Sequence, residues 1–243
     1  MMNVSMVLLP SDVDPDTMRE SQVVVFDVLR ATSTITTAIA AGAEQIRFFA
    51  DPDLALATRR EYPHALLCGE KGCLKIPGFD LGNSPLEFRP EIVRGRVILM
   101  ATTNGTKAIH AAKNARHLFA GSLLNARATA EALVRNPEDI VLLCAGTDHC
   151  PALEDILGAG AVINELQKLA LASPMKATDL AMTACFAFRQ AAADMQSALS
   201  KAQGGRNLIA AGLSGDIVHC SRLNGLPSVV QIAGDQLATV PRA

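Results

Sequence analysis

Short uninterrupted apolar runs alternate with stretches whose apolar positions recur three or four residues apart, from residue 22 to about residue 170. The first pattern is that of a buried strand and the second that of a helix with one covered face. Strands are predicted at 23–28, 45–50, 65–69, 96–101, 117–121 and 139–144, and helices at 32–42, 52–62, 104–114 and 125–135. Asp51-Pro52 supplies a cap with proline in the first turn for the second of these helices. Strand, helix and strand at this spacing mean parallel pairing through crossovers. The strands are apolar throughout rather than alternating, as a sheet covered on both faces requires. Beyond Cys144 the pattern changes to mostly helical, from about 152 to 225, with Ala-rich stretches such as 190–199 and a last strand at 228–232. The reading is a single α/β domain over 1–243: a three-layer α/β/α arrangement with a mostly parallel sheet. Its sheet-forming part runs to about 150 and its mostly helical C-terminal part from about 151.

Composition narrows the class. Apolar residues make up 49% of the chain and charged residues only 19%, so much of the sequence must be buried. That excess predicts a homodimer. A net charge of −2 without any basic run argues against nucleic acid as a partner but leaves room for small anions, which need only local positive charge. The uncharged stretch 31–43 is too short and too rich in Ser and Thr to span a membrane. The N-terminus MMNVSMVLLPSDVD has no basic region before its apolar run, unlike a secretory signal, so a cytoplasmic protein with six reduced cysteines is expected.

Ligands of a parallel sheet bind beyond the carboxyl ends of its strands. There this chain places Asp27-Val28-Leu29-Arg30-Ala31-Thr32-Ser33, Gly69-Glu70-Lys71-Gly72, Thr102-Thr103-Asn104-Gly105-Thr106-Lys107, and Cys144-Ala145-Gly146-Thr147-Asp148 with Glu154 and Asp155 just after. A carboxylate at the end of an apolar strand is costly unless paired or metal-bound, so Asp27 either pairs with Arg30 or serves chemistry. Thr32 and Ser33 open a helix, where hydroxyls cap the helix or bind phosphate. Glu70 and Asp80 in a Gly-rich loop suit a hard cation, or else Asp80 and Asn83 cap backbone in Asx turns. The Thr103–Thr106 turn has the composition of an anion cradle. Other chemistries fail on their spacing. There is no Walker A sequence, and Gly158-Ala159-Gly160 does not follow a strand. Leu29 stands where a haloacid dehalogenase-type phosphatase needs a second Asp, and Cys150 where a cysteine phosphatase loop needs Arg. The cysteines lack the paired spacing of a zinc site.

Five strings in this order, FDVLRATSTITTAIAAGA (26–43), CGEKGCLKIPGFDLGNSPLEF (68–88), TTNGTKA (102–108), CAGT (144–147) and LEDILGAGA (153–161), with a weaker sixth, GDIVHC (215–220), resemble the 2-phosphosulfolactate phosphatase family. The resemblance covers most of the chain. It implies an α/β fold with helices on both sheet faces, and Mg²⁺-dependent hydrolysis of (R)-2-phospho-3-sulfolactate to 3-sulfolactate and phosphate, a step of coenzyme M and sulfolactate metabolism. On this reading Asp27, Arg30 and Glu70 are catalytic. Mg²⁺ is held by some of Asp27, Glu70, Glu154 and Asp155. Thr32, Ser33, Lys71, Thr103, Asn104, Gly105 and Thr106 bind the small anionic phosphate ester. The chain departs from the family at Lys71 and Cys73, where Glu-Arg-Gly-Gly is usual, and at His149, where Gly is usual. Two other readings stay open: a phosphatase of another 2-phosphohydroxyacid, and a non-catalytic anion-binding protein on the same fold.

Overall fold

The computed structural model describes residues 2–169, 175–233 and 236–239. In chain order the elements are β1 (Met2–Val7), α1 (Pro15–Glu20), β2 (Gln22–Phe26), α2 (Ala31–Ala40), β3 (Gln45–Phe49), α3 (Pro52–Thr58), β4 (Leu66–Lys71), β5 (Leu74–Lys75), α4 (Pro90–Val93), β6 (Val97–Ala101), α5 (Gly105–Ala111), β7 (His117–Gly121), α6 (Ala126–Leu133), β8 (Ile140–Cys144), α7 (Leu153–Leu169), β9 (Met175–Ala177), α8 (Asp179–Ala191), α9 (Met195–Lys201), α10 (Gln203–Ala210), α11 (Ser214–Cys220), β10 (Val230–Ala233) and β11 (Gln236–Thr239). None of the described helices is long and apolar enough to cross a membrane.

The fold is α/β, with helices on both sides of a mostly parallel sheet in the order β5-β4-β6-β3-β11-β10-β7-β2-β8-β1-β9. The strands expected from apolar runs are all present, and the first residues of the chain add β1, which pairs in parallel with β8 and β9. β2 is buried at every position between β7 and β8, which explains its unbroken Val-Val-Val-Phe run. Local chemistry sets the helix starts. Asp51 accepts from the Asp53 N–H and Thr178 from the Ala181 N–H, capping α3 and α8. The Ala-rich stretch 190–199 is broken, because Asp194 accepts from the Ser197 N–H and caps a new helix, α9.

Beyond residue 150 the chain is mostly helical, as expected, with α7 to α11, and it also returns β9, β10 and β11 to the sheet. The strand expected at 228–232 belongs to a hairpin of β10 and β11 in the middle of the sheet, antiparallel to β7 on one side and to β3 on the other. It joins a three-strand parallel block, β4-β6-β3, to a five-strand one, β7-β2-β8-β1-β9. β6 and β2 are five steps apart in this order. In a flat sheet that is about 24 Å at the usual strand spacing. Yet Gly105, just past β6, lies so close to Asp27, just past β2, that a Cβ on the glycine would be 2.9 Å from Asp27 Oδ2. The sheet therefore curls. The two blocks bend around the core they share, which brings the two sets of strand ends together. The enclosed face of both blocks shares one core, with Val23, Val25, Ile46, Ile98, Met100 and Ile232 packed around Ile35 and Ile39 of α2. The outer face of the larger block packs on α6, α7 and α8, and that of the smaller block on α3.

α7 and α8 pack most closely at Gly160, where a Cβ would fall 2.1 Å from the Ala184 carbonyl oxygen. Alanine is the better helix former by about 1 kcal/mol. Overlap with backbone that cannot give way costs about 1–3 kcal/mol. The overlap is expected to win, with Gly160→Ala lowering Tm by about 5 °C. An unchanged or higher Tm in a thermal melt would show that the two helices can separate freely.

Candidate active site

Asp27 follows the last residue of β2 and closes the first turn of α2 back on the strand. Its Oδ1 accepts from the Ala31 N–H at 3.1 Å, its carbonyl accepts from the Thr32 N–H, and its own N–H donates to Thr32 Oγ1. Ser33 Oγ donates to the Val28 carbonyl. Thr32 and Ser33 are thus fully buried and spent on the strand-to-helix turn. Asp27 Oδ2 takes no hydrogen bond among the described residues and faces a cavity of about 150 Å³. Leu29, Arg30, Glu70, Gly72, Cys73, Asn83, Thr103, Asn104, Thr147, Asp148, Gly204 and Asn207 complete its lining.

The Asp27–Arg30 ion pair, one of the two readings of the sequence, is not formed among the described residues. Arg30 is 4% exposed and donates through Nη1 to Asp216 Oδ2 at 2.8 Å and through Nη2 to the Cys73 carbonyl at 2.8 Å. Asp216 lies on α11, and its other oxygen accepts from Ser84 Oγ at 2.5 Å. The Asp27 side chain turns instead to the Ala31 N–H, so the three-residue spacing to Arg30 does not make a contact.

The other carboxylates tie strand ends together. Glu70 accepts from the Thr103 N–H through Oε1 and the Cys73 N–H through Oε2, joining β4 to the turn after β6. Asp155, on α7, accepts from the Val28 and Gly146 N–H groups and so clamps the ends of β2 and β8. Removing it would strand two buried donors at about 1–3 kcal/mol each. Glu154 accepts from the Gly204 N–H through Oε1, while its buried Oε2 has no partner. None of the four has an ion-pair partner among the described residues.

Crowding acidic groups away from water favours their neutral forms. Burial, reinforced by Glu70 and Glu154 and opposed by the Ala31 N–H and Arg30, pushes the Asp27 carboxyl up to about 6. Burial raises Glu154 as well, against the pull of the Gly204 N–H. Burial, then Asp27 and Glu154, carries Asp155 well above the usual carboxylate range. Burial, then Asp155 and Glu154, hold Cys144 as a thiol, well above its ordinary value, which suits packing and not nucleophilic attack.

Thr103 and Asn104 reach the cavity wall. Gly105 lies beneath it, where only a missing Cβ lets α5 approach Ala31 and Asp27. Thr106 is buried and bonded to Thr102, its hydroxyl 3.0 Å from that of Thr102. Lys71 is exposed and does not line the cavity. Asp80 serves backbone and Arg59, accepting from the Leu67 N–H and pairing with the guanidinium at 2.9 Å. Asn83, read from the sequence only as a cap, is 4% exposed with an unpartnered Oδ1 on the cavity wall. Asp216 and Ser84 carried no sequence signal beyond lying in strings 215–220 and 68–88, and Gly204 and Asn207 carried none.

The donor set fits a hard cation of one kind. Among the described residues no three His, Cys, Asp or Glu side chains gather tightly enough to cage a metal by themselves. Magnesium does not need that, since it takes one or two carboxylates and completes its octahedron with water and substrate phosphate. Asp27 and Glu70 line the cavity, and the orphaned Glu154 Oε2 is a further buried oxygen without a hydrogen-bond partner.

The chain matches the family model described as 2-phosphosulpholactate phosphatase over residues 7–235. A protein named probable 2-phosphosulfolactate phosphatase from Carboxydothermus hydrogenoformans is 41% identical over 211 residues, covering 86% of this chain and 85% of that one. One of the same name from Deinococcus radiodurans is 40% identical, covering 88% of each. Another from Clostridium acetobutylicum is 32% identical, covering 97% of this chain and all of that protein. With the matched region spanning every strand end that builds the cavity, the chain belongs to the 2-phosphosulpholactate phosphatase family.

Proposed function

We propose that this chain is a phosphoric monoester hydrolase that cleaves 2-phosphosulfolactate to sulfolactate and phosphate at the Asp27 cavity, with Mg²⁺ as cofactor. The observation that carries the reading is that buried Asp27, with no ion-pair partner among the described residues, lines the cavity together with Glu70 and the fixed guanidinium of Arg30. A site for anion binding alone would not need acids there. The shared name of the relatives supports the choice of substrate.

In this mechanism Asp27 and Glu70, with Glu154 behind them, would hold the ion, which when bound neutralises phosphate charge and stabilises the transferring phosphoryl group. The chain's own groups do the rest. Arg30 is locked by Asp216 and the Cys73 carbonyl, so it presents its guanidinium to the phosphate at little entropic cost. Asp27 Oδ2, which takes no hydrogen bond among the described residues, would offer the ion a carboxylate oxygen, its charged form favoured by the ion against the burial that raises it. Asn83 and the Thr103-Asn104 turn supply neutral polar contacts on the opposite wall.

Purified protein is expected to release phosphate from 2-phosphosulfolactate, to stop after exhaustive chelation, and to recover with added Mg²⁺. Full turnover after chelation would remove the metal from the mechanism. Asp27→Asn keeps the acceptor for the Ala31 N–H but loses the charge that would hold the ion. Its turnover should fall by about 10²-fold or more, in a protein that melts no lower than the parent.

The titration of Asp27 gives that comparison a pH signature. The folded carboxyl titrates near 6, above its ordinary 3.8, so the folded state holds the extra proton and this group's contribution to stability is lost as pH rises from about 4 through 6. In metal-free protein, Asp27→Asn should therefore reduce the drop in Tm between pH 5 and pH 7. An identical drop in both proteins would contradict the burial assigned to Asp27.

A further inference from the structure

A second cavity, of about 370 Å³, adjoins the first and shares Thr103, Asn104 and Asp148 with it. The two differ in charge. The first is walled by Asp27, Glu70 and Arg30, and the second by Lys107 and His149 together with Leu9 and Ala145, while Asp148 stands on the boundary between them. Neither Lys107 nor His149 has an ion pair or hydrogen bond among the described residues, so the Lys107 ammonium on this cavity's wall is open to a ligand.

The backbone that presents His149 is an independent observation. Thr147 and Cys150 exchange both backbone hydrogen bonds at 2.9 Å, closing a two-residue turn with φ of 51° at Asp148 and 61° at His149. Glycine and asparagine take this left-handed turn readily. Here it holds two other side chains, and both line the cavities. Strained backbone of this kind gathers where side-chain placement matters to function.

We propose that the Lys107–His149 cavity is the subsite for the substrate's non-phosphate anionic end, a sulfonate or carboxylate. The inference rests on the phosphatase reading of the first cavity. The phosphoryl group occupies the acidic cavity with its cation, and the short carbon skeleton passes over Thr103 and Asn104. The second acid then meets Lys107 and the His149 ring. The charge that selects an acidic tail thus comes from Lys107 on α5, not from Lys71, which lies outside both cavities.

The test is calorimetric binding of 3-sulfolactate and of inorganic phosphate, with magnesium present, to the parent, Lys107→Gln and His149→Gly. Lys107→Gln should weaken sulfolactate relative to phosphate by about tenfold, the scale of one charge-assisted hydrogen bond. His149→Gly should shift the ratio in the same direction without lowering Tm, because glycine relaxes the turn. An unchanged ratio in both variants, or equal weakening of both ligands, would overturn the subsite. Failure of the parent to release phosphate from any 2-phosphohydroxyacid would overturn the phosphatase reading instead, since the ratio reports binding alone.

Discussion

The guanidinium of Arg30 is buried, and a buried guanidinium needs a fold that satisfies its donors. Asp216 and the Cys73 carbonyl meet that demand, and Ser84 satisfies the second oxygen of Asp216. The partners come from α11, from the loop after β4 and from the segment before α4, so one residue at the start of α2 draws together segments up to 186 residues apart. A buried pair of this kind returns little net stability over an apolar replacement, but losing one partner leaves an uncompensated charge at about 3–5 kcal/mol. Its consequence is geometric: with Arg30 committed to Asp216, the carboxylate of Asp27 is left to the cavity.

The acids around that cavity are held there against their own preference for water. Asp155 and Glu70 take two backbone N–H groups each, so strand ends and loops fix their positions. Asp27 and Glu154 each keep one oxygen that the fold leaves without a partner. A cluster of this sort carries protons or a cation rather than net negative charge, and either state is useful to phosphoryl chemistry. The glycines at 105 and 204 allow the approach, since a Cβ at Gly204 would lie 2.0 Å from Glu154 Oε1.

Curling of the sheet makes the site possible. Two parallel blocks would ordinarily offer two separate rows of strand ends. The β10–β11 hairpin joins the blocks edge to edge, and their bend around the shared core brings the end of β6 onto the end of β2. α2 fills the enclosed face, contributing Ile35 and Ile39 to the shared core and Thr34 Oγ1 to the Asn83 carbonyl. The same helix therefore anchors the core and holds one wall of the cavity.

Much of this was legible in the chain itself. Apolar runs located the strands because a strand buried on both faces leaves no room for alternation, and Asp51 and Pro52 marked a helix start because capping is a contact between near neighbours. Polar residues just past strand ends pointed to the cavity wall at Asp27, Arg30, Glu70, Thr103 and Asn104, since parallel strands present their carboxyl ends together. The partner of Arg30, the separate duties of Asp155 and Glu154, the burial of Thr32, Ser33 and Thr106, and the exclusion of Lys71 were decided by the tertiary structure alone. Periodicity and spacing report contacts within a few residues, whereas these depend on where a curled sheet and a late hairpin bring segments more than 100 residues apart.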